Sequence, residues 1–487
     1  MILAVWWADV LRVFNVAVLA YFALITLSYM AITVMSAREV RGYFRRRSGA
    51  ALRRTLRSRM SPPVTICASA YNEAETIVDS MRAMLTLQYP NYEVALCNDG
   101  SKDDTLARLI AAFGLRRVDQ PIRPGIPTAH VRGVYRSRTH TRLVVIDKVN
   151  GGRSDGLNAA INVAASPLIC CVDADSLLEP DGLLSAVRPF VEQPGLTVAA
   201  GGIIRVANGC RIEHGHVSKV GLPRNPVAMF QTVEYLRAYL AARTGWSAIN
   251  GLLIISGAFG VFRRTRVIEV GGFATDSIGE DFELCMRLHR KALEDRRPYR
   301  IAFIPDPVCW TQVPERMGDL GGQRNRWHRG LIDTLWRHRA MIANPRYGVV
   351  GMLALPFFVL FEFLGAFVET LGYISLAVSL ALGVVNVPFA LLFMLVAVLS
   401  GVLLSLTAVL LEDVAFRRYG QIRELLKLVA FSVAENFGYR QIITAYRVRG
   451  FFAYLRGDKA WGEIQRVGFA GELEAAAEGV PERPVTA

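Results

Sequence analysis

The sequence predicts an α/β protein: a mostly parallel sheet with helices on both faces, flanked by transmembrane and interfacial helices. Three observations carry this expectation. From Val64 to Asp175, short apolar runs alternate with amphipathic helical runs, the pattern of parallel strands joined by helical crossovers. On either side stand uncharged apolar stretches, Val13–Met35 and Val387–Leu411, long enough to cross a bilayer. A dense run of arginines follows the first of them.

Composition agrees. Of 487 residues, 52% are hydrophobic, and the mean hydropathy is +0.29. That is apolar for a soluble chain, and the length allows roughly two to four domains. The net charge of +14 is concentrated: Arg38, Arg41, Arg45, Arg46, Arg47, Arg53, Arg54, Arg57 and Arg59 crowd one segment. Such a run can bind nucleic acid. Directly after an apolar span it reads instead as a positive-inside anchor rather than a nucleic-acid binder. The seven cysteines (Cys67, Cys97, Cys170, Cys171, Cys210, Cys285, Cys309) form no CxxC pairs and no zinc spacing. Most lie in apolar runs and read as reduced core residues of a cytoplasmic domain.

In chain order, Val13–Met35 makes a helix about 35 Å long. It has no basic n-region and no cleavage site, so it is an anchor rather than a signal peptide. Trp6 and Trp7 suit the interface, and the following arginines put the N-terminus outside and the next domain in the cytoplasm. VTICASA from Val64 reads as a buried strand, followed by a helix near Thr76–Leu87. YEVALCN is the next strand. SKDDTLARLIAAF reads as a helix capped by Ser101. RLVVID and LICCVDAD are two more strands, separated by the helix SDGLNAAINVAA. After Pro345, Val349–Gly383 is apolar except for Glu362 and Glu369. Val384–Asn386 suits an external turn, Val387–Leu411 a further span of about 37 Å, and Arg417, Arg418 and Arg423 an internal return. Leu425–Arg449 carries Glu435, Arg440 and Arg447, which favours an interfacial or re-entrant helix over a fourth span. The tail from Gly471, rich in Ala, Glu and Pro, reads as disordered.

The polar signals fall at the carboxyl ends of the predicted strands, where ligands bind in such sheets. Asp173-Ala174-Asp175 closes an apolar strand, and two carboxylates so placed can share a divalent metal that neutralises a diphosphate. Asp99-Gly100-Ser101 makes a tight turn whose carboxylate can accept from a nucleobase or ribose. Lys148, Asn150, Gly151, Gly152 and Arg153 form a Gly-rich basic turn without P-loop spacing; its N–H groups can hold phosphate. Gly279-Glu280-Asp281 opens an amphipathic helix, as a cap or with one carboxylate as a general base. In GGQRNRWHRGL, Gln323, Arg324, Arg326 and Trp327 fall within about one helical turn. An indole stacks on a sugar face and a guanidinium fork grips a diphosphate; the plainer alternative is a basic helix lying on headgroups.

Taken in order, Ala70-Tyr71-Asn72-Glu73, Asp99-Gly100-Ser101, Asp173-Ala174-Asp175, Gly279-Glu280-Asp281 and Gln323-Arg324-Asn325-Arg326-Trp327 resemble the membrane-embedded, inverting family 2 glycosyltransferases. That group includes cellulose, chitin, hyaluronan and bacterial poly-N-acetylglucosamine synthases. The resemblance spans roughly Val64 to Leu331, and KVNGGRSDGLNAAI looks most like the last of these. It implies a GT-A type nucleotide-sugar-binding domain. It implies that Tyr71, Glu73 and Asp99 contact uridine, with Lys148 near the nucleotide. Asp173 and Asp175 would handle ribose and Mg²⁺ or Mn²⁺, and Asp281 would be the base, with Glu280 beside it. Gln323, Arg326 and Trp327 would clamp diphosphate and acceptor sugar. Gly279 stands where many members have Thr.

The implied activity elongates a β-linked polysaccharide, of N-acetylglucosamine type, from a UDP-sugar at the cytoplasmic face of the inner membrane. Its partners are then the UDP-sugar, the growing glycan, the bilayer and accessory export proteins. The rivals are transfer of one sugar to a lipid and a catalytically silent scaffold, against which the intact Asp175, Asp281 and Trp327 argue. The expected organisation is an anchor (1–37), a basic linker (38–62), a glycosyltransferase domain (63–312) and interfacial helices (313–346). Membrane helices (347–412), an interfacial or re-entrant region (413–470) and a tail (471–487) follow. Glu362 and Glu369, seven residues apart, share a helix face. Either they pair with Arg440 or another base, or they line a path for the sugar chain.

Overall fold

A computed structural model describes residues 2–47, 56, 58, 60–119, 122, 125–213, 215–383, 387–416, 419 and 421–458. Arg53, Arg54, Arg57, Arg59, Arg417, Arg418, the expected turn at 384–386 and the tail from Gly471 lie outside them.

The chain begins with one long helix, α1 (Ile2–Arg47), and then enters the sheet region. There follow β1 (Val64–Ala70), α2 (Ile77–Leu85), β2 (Tyr92–Asn98), α3 (Thr105–Phe113), β3 (Leu115–Val118), β4 (Val131–Ser137) and β5 (Leu143–Lys148). Next come α4 (Arg153–Val163), β6 (Leu168–Asp173), β7 (Leu177–Leu178), α5 (Gly182–Glu192), β8 (Thr197–Val206), β9 (Arg211–Glu213) and β10 (His216–Lys219). Helix α6 (Pro226–Tyr235) continues through a π-helical stretch, Leu236–Arg243, into α7 (Thr244–Ala248). The remainder of this part is β11 (Phe259–Arg263), α8 (Arg264–Glu269), α9 (Glu280–Glu294), β12 (Arg300–Thr311) and α10 (Met317–Arg337). Four helices close the described chain: α11 (Val350–Ala381), then α12 (Val387–Ala415), α13 (Ile422–Ala434) and α14 (Tyr439–Leu455).

Ten strands form one sheet in the order β3-β4-β5-β2-β1-β6-β11-β8-β12-β7. The α/β class holds, but the sheet is mixed rather than mostly parallel. The central block β5-β2-β1-β6 is parallel, as is β8 with β12. The other joins are antiparallel: β3 to β4, β4 to β5, β6 to β11, β11 to β8, and β12 to β7. The reason is local. β4 returns to β5 through the short connection 138–142, which permits only a hairpin, whereas parallel neighbours need a crossover. The central strands are buried on both faces, and all seven cysteines are free and buried.

Among the described residues, three helices are long and apolar enough to cross a membrane: Val16–Arg45, Val350–Ala381 and Val398–Ala415. This matches the three expected spans in number. Leu425–Arg449 is not one rod. It divides at residues 435–438 into α13 and α14, of 13 and 17 residues, each shorter than about 20 residues needed to span. α11 contains π-helical turns at Val350–Ala354 and Phe358–Phe363. Its two carboxylates meet one face of α14. Glu362 accepts from Tyr29 at 2.6 Å and pairs with Arg447. Glu369 accepts from Tyr373 at 2.9 Å and Thr444 at 2.8 Å. Arg440 is not their partner; it donates to Asn436 at 2.9 Å. A carboxylate in an apolar layer requires such partners, and both glutamates have them.

Candidate active site

The parallel block brings the sequence-predicted residues to one edge. In its registers Ala70 lies opposite Asn98, Asn98 opposite Asp147, and Ser69 opposite Asp173. The chain therefore leaves β1, β2, β5 and β6 at the same level, and Tyr71, Asp99, Lys148 and Asp173 emerge side by side.

Tyr71-Asn72-Glu73 is fixed by the neighbouring turn. Asn72 has φ 56°, a left-handed conformation that Asn tolerates. Its N–H donates to Ser101 Oγ at 3.0 Å, and its Oδ1 accepts from Lys102 N at 2.8 Å. Ser101 therefore does not cap the following helix, which starts only at Thr105; its hydroxyl is committed to the β1 loop. Glu73 is half-buried and accepts from Thr76 Oγ1 at 3.2 Å, and Tyr71 is exposed.

Asp99 and Lys148 are buried together. Lys148 Nζ reaches Asp99 and Asp155, each at 2.5 Å. Asp99 also accepts from the backbone N–H of Gly151 at 3.0 Å and Gly152 at 2.8 Å. Burial disfavours the Lys148 ammonium, but its hydrogen bonds to Asp155 and Asp99 outweigh this and hold its pKa above the ordinary value. The glycine-rich turn is thus wrapped round a carboxylate, and its N–H groups are not an open phosphate cradle. Gly100 (φ +70°) makes this approach possible: a Cβ there would lie 2.6 Å from Asn150 N.

Arg153, at the start of α4, is the hub that sequence reasoning missed; it stood there only as one basic residue of the turn. Its Nε and Nη2 hold Asp173 Oδ1 at 2.8 and 2.7 Å. Its Nη1 holds Glu280 Oε1 at 2.5 Å, and Nη2 donates to Gly257 O at 2.8 Å. Gly257 N–H in turn donates to Asp281 Oδ2 at 3.0 Å, while Phe282 N–H donates to Asp281 Oδ1 at 2.8 Å. Burial pushes the Glu280 carboxyl up, Arg153 opposes this, and Asp281 adds to it, so the net displacement is upward. Glu280 is committed to Arg153, whereas Asp281 is partly exposed. Asp175, two residues past the end of β6, is also partly exposed. Among the described residues, no three His, Cys, Asp or Glu side chains form a metal cluster.

Helix α10 crosses the start of α9 at two glycines. A Cβ on Gly279 would lie 3.1 Å from Gly330 Cα, and one on Gly330 would lie 3.0 Å from Gly279 Cα. This explains Gly279: the backbones touch there. Gly330 lies one turn after Trp327, and Gly279 lies two residues before Asp281, so the crossing sets the tryptophan helix beside the acid pair. Trp327 is 45% exposed. Arg324 is not a free fork. It is buried, pairs with Glu234 at 2.8 Å, and sits 4.2 Å from the Trp327 ring centre, supporting the indole from beneath. Arg326 and Gln323 are half-buried, and Gln323 Oε1 has no hydrogen-bond partner. The other flank of α10 packs on α14, where Gly321 faces Tyr446 and Gly450 faces Asn325 O.

The model of glycosyl transferase family group 2 matches residues 168–411, about half of the chain. The model of glycosyl transferase family 2 matches residues 65–223. The chain belongs to glycosyl transferase family group 2. Its relatives include poly-beta-1,6-N-acetyl-D-glucosamine synthase of Staphylococcus aureus, 29% identical over 275 residues, 56% of each chain. The synthase of that name from Staphylococcus epidermidis is 29% identical over 274 residues, again 56% of each. The chain thus spans about half the length of the curated relatives it matches. Among solved structures, a mannosyltransferase from Pyrobaculum calidifontis, in complex with GDP-Man and Mn²⁺, aligns over 87% of this chain and 99% of its own. The TM-score is 0.50 at 17% identity, a likeness of fold alone.

Proposed function

We propose that this glycosyltransferase is inverting and processive, elongating a β-linked glycan of N-acetylglucosamine type from a UDP-sugar at the cytoplasmic face of the inner membrane. The observation that carries this reading is the setting of Asp281. Its carboxylate is held by Gly257 N–H, next to the Arg153–Asp173 contact on one side and the Gly279–Gly330 crossing of the Trp327 helix on the other. Asp281 takes the proton of the acceptor hydroxyl as that oxygen attacks the anomeric carbon. The bond to UDP breaks on the opposite face, which inverts the centre. Trp327 stacks the acceptor ring, Gln323 and Arg326 face the diphosphate, and Arg326 offsets its growing charge. Tyr71 and Glu73 border the nucleoside, and Asp99 and Lys148 act from behind by fixing the turn that forms its wall.

A divalent ion suits the remaining carboxylates. Asp175 and Asp173 offer hard oxygen donors and would hold Mg²⁺ or Mn²⁺. When bound, such an ion neutralises the leaving group. Support for the sugar class comes from the relatives named as poly-beta-1,6-N-acetyl-D-glucosamine synthases. The three apolar helices support a multi-pass membrane protein, with the domain division given above. Export of the product, with accessory proteins, belongs to the same proposal. The test is UDP release by purified full-length protein with Mg²⁺ and a panel of UDP-sugars. Release with UDP-N-acetylglucosamine, lost in Asp281→Asn, is expected; release that ignores Asp281 overturns the assignment.

A further inference from the structure

We propose that Arg153 is a resident cation on Asp173 that gives up this contact when a divalent metal binds there. The inference rests on the reading above that Asp173 and Asp175 take the metal. What points to it is a built seat for the guanidinium. Its nitrogens reach three elements: the end of β6 (Asp173), the start of α9 (Glu280) and the backbone carbonyl of Gly257. Only 17% of the side chain is exposed. Gly257 leaves it room, since a Cβ there would lie 3.0 Å from Arg153 Nη2.

The charges explain why a cation must sit there. Asp173, Glu280 and Asp281 all act on Arg153, so without it three carboxylates would share one neighbourhood and repel. A metal bound to Asp173 takes over part of that neutralisation. It would compete with Nε and Nη2 for the Asp173 carboxylate. Arg153 keeps its hold on Glu280 and on Gly257, whose N–H fixes Asp281. Arg153 is therefore a positioning residue. Through Glu280 and Gly257 it keeps the base in place without touching the reacting atoms. Lysine carries the same charge but not the planar fork that spans three acceptors.

The experiment titrates Mn²⁺ into full-length protein without nucleotide, reading free Mn²⁺ by electron paramagnetic resonance, for wild type, Arg153→Gln, Arg153→Lys and Asp175→Ala. A neighbouring guanidinium changes a carboxylate's affinity for a proton by about 10- to 1000-fold. Arg153→Gln is expected to bind Mn²⁺ about tenfold more tightly than wild type, at the lower end of that range. Arg153→Lys, which keeps the charge, is expected to stay near wild type in Mn²⁺ affinity while its kcat falls with KM for UDP-sugar little changed. A general loosening of the site would shift both variants alike. Equal or weaker Mn²⁺ binding by Arg153→Gln, with Asp175→Ala still losing the metal, overturns the role of Arg153 alone. Unchanged binding in Asp175→Ala overturns the metal assignment and the inference with it.

Discussion

Replacing Asp281 by Asn removes a base while nearly preserving shape, and the structure sets what else must change. Both carboxylate oxygens accept from the backbone, Oδ2 from Gly257 N at 3.0 Å and Oδ1 from Phe282 N at 2.8 Å. An amide can satisfy only one of these donors; the other N–H then faces an NH₂ group. A lost hydrogen bond to a charged acceptor costs about 1.5–3 kcal/mol. Loss of a negative charge at a helix N-terminus costs about 0.3–1 kcal/mol more. Because Asp281 is partly exposed, a total near the lower end, about 2 kcal/mol, is expected, lowering the midpoint of thermal unfolding by a few degrees. Turnover should fall far more, by about 10²- to 10⁴-fold, or roughly 3–5 kcal/mol of barrier. UDP-sugar binding should persist, because the proposed donor contacts lie elsewhere. The assay is UDP release alongside UDP-sugar binding and a thermal melt on the same preparation. Near-wild-type turnover in a folded variant would refute the reasoning. Glu280 could not simply inherit the role, since its Oε1 is bound by Arg153 at 2.5 Å.

Three further outcomes are expected. Asp175→Ala should abolish turnover while leaving the melt unchanged, and excess EDTA should silence the wild type; full activity in EDTA would rule out the metal. His289 should make stability depend on pH. Its Nε2 meets Leu252 O at 2.8 Å and its Nδ1 meets Tyr299 OH at 2.7 Å, and burial lowers its pKa to about 4. The unfolded chain takes up a proton below about pH 6.5 that the folded chain refuses, so stability is full above that pH and is lost as pH falls towards 4. The loss from this group should reach about 2 kcal/mol at pH 5, and His289→Gln should flatten the dependence measured by thermal melts from pH 7 to 5. Finally, Trp327→Ala should impair every transfer, whereas Glu369→Leu should shorten the product without slowing the first transfer to a short acceptor. Normal product length with reduced protein yield would assign Glu369 to helix stapling.

Much of the site was legible because parallel strands end at one edge. The buried runs ending at Ala70, Asn98, Lys148 and Asp173 could be read from apolar length and turn residues, and their alignment follows from topology. The antiparallel flanks were not legible. β3 and β7 are only four and two residues long, too short for periodicity to register, and β11 is oriented by partners distant in sequence. Ser101 looked like a cap because a hydroxyl precedes acids and an apolar run; its tertiary partner, Asn72 N, wins instead. Charge alone could not show that Arg324 is committed to Glu234. Nor could it show that Lys148 is sealed between Asp99 and Asp155 while Arg153 spans Asp173 and Glu280. The one available signal for Arg153 was its place at the first position of a helix, directly beyond the glycine turn. The Gly279–Gly330 contact left no trace except two unexplained glycines.

The most direct test of the central claim is the size and linkage of the product made by purified full-length protein from radiolabelled UDP-N-acetylglucosamine and Mg²⁺. The account predicts a polymer of β-linked sugars, absent in Asp281→Asn and in Trp327→Ala. A single labelled sugar recovered on an organic-soluble lipid, or an α-linked product, would contradict it.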